Sequence, residues 1–160
     1  MTGKRRKRLK TPVRLRPLSD SCPKLNSGNH KVTSPATFRY NCVAWAAGVA
    51  TQKWGDQKPY FWPKEVMRGG DVGSLIKLFE WLGYEQCGDG MFEPGFEKIA
   101  IYAIGGIWTH AARQKSNGLW SSKLGDFEDI DHASPEAVAG GDYGEVAAFL
   151  KRKRPRKKTK

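Results

Sequence analysis

Apolar positions along the chain change period part-way through. From Asn41 onward, Val43, Ala44, Ala46, Ala47 and Ala50 follow the spacing of a buried helix that closes near Gln52 or Trp54. Leu75, Leu78, Phe79 and Leu82 share one face of a second helix, from about Asp71 or Ser74 to Leu82, and Gly83 suits its end. The period then shortens. EKIAIYAI, residues 97–104, predicts a strand, Gly105 and Gly106 turn the chain, and IWTHAARQ followed by SNG and LWSSKLG reads as a hairpin. Together these make a three-stranded antiparallel meander. Ser134, Pro135 and Glu136 predict a capped short helix, and EVAAFLKR predicts a final one. Helices first and strands second make an α+β arrangement.

Residues 17–38 are rich in Pro, Ser, Asn and Gly and read as loop, as does the Pro-bounded aromatic stretch GDQKPYFWPKEV. A chain of 160 residues with 39% hydrophobic content supports one core, so residues 26–150 are expected to form a single domain between a basic segment at 1–25 and a basic tail at 151–160. No apolar run approaches the roughly 20 residues of a spanning helix, which predicts no membrane insertion. MTGKRRKRLK has no apolar stretch behind it before Pro12, so it does not read as an export signal. Cys22, Cys42 and Cys87 are odd in number and irregularly spaced, which suits a reducing, cytoplasmic location better than a disulfide framework.

Charge refines this picture. Of 28 Lys and Arg, eight lie in residues 1–16 and eight in 151–160, leaving 12 against all 16 Asp and Glu in the body, which therefore carries about −4. Cationic tails of this kind attract nucleic acid or another polyanion by counterion release, though no aromatic residues interleave to stack bases.

The candidate chemistry centres on YNCVAWAAG, residues 40–48. With Asn41 as N-cap, Cys42 falls in the first turn of a helix, where free backbone N–H groups favour a thiolate. His110 lies on the predicted strand that follows, and a Cys–His pair is a nucleophile with its base. A third polar group should orient the imidazole. With Ser116, Asn117 and Gly118 as the hairpin loop, Lys115 pairs with Leu119 and Ser122 faces the same side as His110; a two-residue loop flips the parity and brings Ser121 and Lys123 to that side. Asp126, Asp129 and Asp131, just beyond the strand, are carboxylate alternatives.

Cys on a helix, His on a strand and a polar residue on the next strand resembles papain-like hydrolases of the NlpC and CHAP kinds, including the twelve-residue separation of His110 and Ser122 in HAARQKSNGLWSS. The longer string YNCVAWA, EPGFEKIAIYA, THAARQ, GLWSSKLG, EDIDH and DYGEVAAFL, within residues 38–150, resembles a bacterial domain family of unknown function. The resemblance to the hydrolases implies a papain-like α+β fold with a Cys-bearing N-terminal helix on an antiparallel β-meander. It implies a catalytic set of Cys42, His110 and Ser122 acting on an amide or acyl bond, with Ser122 standing where His, Asn or an acid is usual.

Each feature also has a plainer reading. A cysteine among alanines is often a space-filler, and a lone strand histidine is often bonded to a carbonyl. His132 reads as a hairpin-end surface residue, and Cys22 and His30 as loop residues. No CxxC or HExxH occurs and no glycine stretch has the phosphate-loop pattern, so no metal or cofactor is expected. The alternative to a hydrolase is therefore an inactive binding module that engages a polyanion through its tails.

Overall fold

The computed structural model describes residues 11–155. Its centre is a seven-stranded sheet in the order β1-β6-β5-β4-β3-β7-β2, with every neighbouring pair antiparallel. The strands are β1 (His30–Ser34), β2 (Glu85–Cys87), β3 (Phe96–Ile104), β4 (Ile107–Gln114), β5 (Trp120–Lys123), β6 (Asp129–His132) and β7 (Glu145–Lys153). Three short helices, α1 (Leu18–Ser21), α2 (Cys42–Ala46) and α3 (Val72–Trp81), and a 3-10 turn at Pro135–Val138 complete the described elements.

This overturns the expected papain-like α+β class. The helix bearing Cys42 has five residues and follows both α1 and β1, and the three-stranded meander is the middle of a larger sheet. The expected final helix is instead a strand: EVAAFLKR lies in β7, between β3 and β2. Its Ala, Leu, Glu and Lys favour a helix locally, but pairing with β3 over nearly its whole length overrides that weak preference. Three further strands go beyond the expected meander: β1 in the Ser- and Asn-rich segment, β2 just after α3, and β6 in EDIDH.

Alternation along the strands sorts the core into two layers. Ile99 and Ile101 of β3, Ala111 of β4 and Leu150 of β7 face α2 and α3 with Val43, Leu75, Leu78 and Phe79. Ala100 and Tyr102, Ala112, Trp120 and Ile130 face the other way, against Cys22, Leu124, Val138 and Ala139. Cys22, expected in a mobile loop, is thus wholly buried. The β4–β5 hairpin adopts the three-residue-loop register: Arg113 pairs with Ser121, Gln114 with Trp120, and the Lys115 N–H donates to the Leu119 carbonyl at 2.7 Å. Gly118 has φ +86°, the left-handed conformation that such a loop requires.

Candidate functional site

Asn41 caps α2 as its residue type predicts. Its Oδ1 accepts from the N–H of Ala44 at 3.2 Å and of Trp54 at 3.0 Å, while its Nδ2 donates to the Trp54 carbonyl at 2.7 Å. These bonds fix the turn that presents Cys42. Trp45 anchors the same helix to β5 by donating to Ser121 Oγ at 2.9 Å.

Cys42 is only 8% exposed. Burial pushes its thiol pKa up; the backbone N–H groups of Ala111, Val43 and Cys42 itself, and then the charge of Lys123, act in the opposite direction. The sulfur therefore meets the sheet beside Ala111, the residue that follows His110. Ordered β4–β5 pairing is confined to Arg113–Ser121 and Gln114–Trp120, so Ala111 lies where the two strands have parted. Near Cys42, Lys123 lies over the Tyr40 ring at 5.3 Å, and Tyr40 donates a short hydrogen bond to Asp129, the residue paired with Lys123 across β5 and β6.

His110 belongs to the other face. Its ring stacks on Tyr143, with centroids 4.0 Å apart and planes 13° from parallel, and meets Tyr102 edge-on at 5.2 Å. Tyr143 is held there by a tight glycine-rich turn. Thr109 donates to its carbonyl at 2.5 Å, Asp142 N–H donates to the Ser21 carbonyl, and Gly144, at φ +67°, lies so close to β3 that a Cβ would fall 2.3 Å from the Ala103 carbonyl oxygen. Nothing larger than glycine fits at that position.

Of the three residues expected to act together, the structure joins His110 and Ser122, Nε2 to Oγ, at 2.9 Å. Ser121 and Lys123 turn to the α2 face; Asp126 pairs with Lys53 and Asp131 with Lys115, each at 2.8 Å. Cys42 is not hydrogen-bonded to His110, whose Nδ1 is buried without a partner among the described residues. His132, expected at the surface, is 1% exposed. Its Nε2 lies 2.8 Å from Ser122 Oγ and its Nδ1 lies 2.7 Å from the Ser134 carbonyl. Sequence reasoning missed this because β6 was not recognised as a strand. Once EDIDH pairs with β5, Ile130 and His132 necessarily share the face of Ser122.

Burial lowers the pKa of His110 to about 3, reinforced by His132, and that of His132 to about 4 despite opposing help from Ser134 and Asp131. Both rings are neutral at pH 7, so each carries one proton. The direction of the chain follows. A carbonyl only accepts, so His132 Nδ1 holds its proton and donates to Ser134; His132 Nε2 is then bare and accepts from the Ser122 hydroxyl; Ser122 Oγ accepts in turn from His110 Nε2–H. The remaining nitrogen, His110 Nδ1, is left as an unprotonated lone pair.

A family model described as a domain of unknown function, DUF7689, matches residues 31–151. The chain belongs to that family. No curated protein and no solved structure matches it. The DUF7689 region spans β1 to most of β7, and so contains Cys42, His110, Ser122, His132 and Tyr143. Among the described residues no group of three or more His, Cys, Asp or Glu is placed to hold a metal ion, and no helix is long and apolar enough to cross a membrane.

Proposed function

We propose that the protein is a cysteine hydrolase that cleaves an amide or related acyl bond with Cys42 as nucleophile and His110 as base. The observation that supports this reading is the bare, buried Nδ1 of His110, whose ring is held by Ser122 and whose next residue presents its N–H to the Cys42 sulfur. With the thiol raised and the imidazole lowered, the resting pair is thiol and neutral imidazole rather than an ion pair. Cys42 and His110 start on opposite faces of the sheet, so the step needs them to meet beside Ala111, where β4 and β5 have parted: the thiol proton moves there to His110 Nδ1 as sulfur attacks the carbonyl carbon, and the carbonyl electron pair shifts to oxygen. Collapse of this intermediate expels the amine, which takes the proton from Nδ1 and leaves a thioester. Water then gives a proton to Nδ1 while its oxygen attacks the thioester, and the departing sulfur recovers that proton. Backbone N–H groups around the sulfur and the charge of Lys123 stabilise the developing negative charge.

The test is the iodoacetamide alkylation rate of each cysteine across pH, resolved by peptide mass spectrometry, in the native protein and in His110→Ala. Cys42 should lose at least about tenfold in rate at neutral pH in the variant. Partly exposed Cys87 and buried Cys22, whose thiol burial raises to about 11, should not change. Equal Cys42 rates in the two proteins would remove His110 as its base.

The burial of Cys42 and His110 favours a second reading, an inactive domain that carries cationic ends to nucleic acid or another polyanion. Residues 1–10 and 156–160, which hold much of that charge, lie outside the described residues. Lys151, Arg152 and Arg154 are engaged by Glu93 and Glu97. Under this reading, removing residues 1–10 and 156–160 abolishes salt-sensitive binding to a DNA duplex; unchanged binding would reject it.

A further inference from the structure

We propose that His132 is a positioning residue that sets the tautomer of His110 through Ser122, keeping the proton on Nε2 and the lone pair on Nδ1. Its catalytic meaning rests on the hydrolase reading, but the tautomer does not. A serine hydroxyl alone cannot choose a tautomer, because it can donate to Nε2 or accept from Nε2–H equally well. His132 removes that freedom. The Ser134 carbonyl, 2.7 Å from Nδ1, commits the His132 proton to that side, and the bare His132 Nε2 then claims the only hydroxyl proton Ser122 has. Ser122 can now only accept from His110, so the second proton position is settled two side chains away. All three side chains are at most 1% exposed, so water does not compete for these bonds. Tyr143 against one face of the His110 ring and Tyr102 at its edge resist the ring flip that would exchange the nitrogens.

This assigns Ser122 and His132 distinct parts. Ser122 is the reversible coupler and His132 supplies the direction. It also gives a physical reason for a serine where a group with fixed polarity would be expected to orient a catalytic imidazole: polarity comes from the residue behind it.

Nitrogen-15 NMR of the intact protein at pH 7 reads the tautomer directly, with or without a substrate. In the native protein His110 should carry its proton on Nε2. In His132→Leu the hydroxyl is free to donate, and the tautomer ratio should move toward Nδ1–H by roughly tenfold or more, about what a buried hydrogen bond is worth. His132→Gln, whose side-chain oxygen can accept from Ser122 near the lost nitrogen, should restore the native tautomer; restoration separates positioning from a merely structural role. Native His110 found as Nδ1–H, or an unchanged ratio in folded His132→Leu, overturns the proposal. Should His132→Leu fail to fold, Ser122→Ala must show the same loss of preference, and a retained Nε2–H preference there overturns it as well. Failure of Cys42 to react in the alkylation experiment would count against the hydrolase and leave these resonances as they are.

Discussion

On the α2 face, β5 and β6 bury Lys123 opposite Asp129, two groups of opposite formal charge, with the Tyr40 hydroxyl on the carboxylate and the Lys123 ammonium donating to the Phe127 carbonyl. On the other face the same two strands bury Ser122 and His132 with His110, joined end to end by hydrogen bonds and neutral throughout. Burial acts against charge in both places: Lys123 is lowered and Asp129 is raised, as both imidazoles are lowered. The difference lies in what remains. Groups of opposite formal charge offer a field to whatever lies near them, and the Cys42 sulfur feels that of Lys123, whereas a neutral directed chain offers one defined lone pair. The proposed nucleophile and base are thus served by separate polar clusters that share a strand and differ in the parity of its residues.

Acid should break this symmetry most strongly. Both histidines have folded pKa values below the ordinary value of about 6.5, at about 3 and about 4, so the unfolded chain binds their protons more readily. Their neutral burial carries no protonation penalty above pH 6.5. As pH falls from 6.5 toward 4, each histidine removes up to about 1.4 kcal/mol of stability per pH unit. Asp129 acts in the reverse sense: its raised pKa makes protonation favour the folded state as pH falls through its folded and then its unfolded value. The histidines outweigh it because they are two and their window opens near neutrality. Urea unfolding followed from pH 7 to 5 should show a steep loss that is reduced in His132→Leu; a flat profile in the native protein would mean that the chain is not buried neutral.

Asp129→Leu should cost about 3 kcal/mol, because it removes the charge that opposes the burial of Lys123 and leaves the Tyr40 hydroxyl without its acceptor. Lys123→Met should cost less than about 1 kcal/mol, since it removes a poorly solvated charge and keeps the volume. Comparable losses measured for the two by urea denaturation would show that the Asp129 carboxylate does not support the Lys123 charge.

How legible this was depends on what each residue needs from its partners. The Asn41 cap and the Gly118 turn are decided by neighbours in sequence, and α3 announces itself through one apolar face. Hairpin geometry carried Ser122 to the side of His110 because a three-residue loop fixes parity for the whole ladder. His132 and β7 needed partners distant in the chain: β6 is recognisable only once β1 and β5 flank it, and EVAAFLKR is helical in preference until β3 claims it. Tyr143 was hidden for another reason. AGGDYG reads as a turn in any fold, and only the close seating of Gly144 on β3 aims the tyrosine at His110.

Ser121 and Ser122 point to opposite faces, and each is a single acceptor for one ring N–H, of Trp45 and of His110. Ser122→Ala should cost about 2 kcal/mol, since it strands both the His110 donor and the His132 acceptor in a dry layer. Ser121→Ala should cost about 1 kcal/mol, because it strands one donor on the partly buried Trp45. A double variant should lose the sum to within about 0.5 kcal/mol, because the two hydroxyls share no partner. A coupling much beyond that, in a double-mutant cycle followed by urea denaturation, would mean that the two faces communicate through β5, and separate provision for the proposed nucleophile and base would have to be given up.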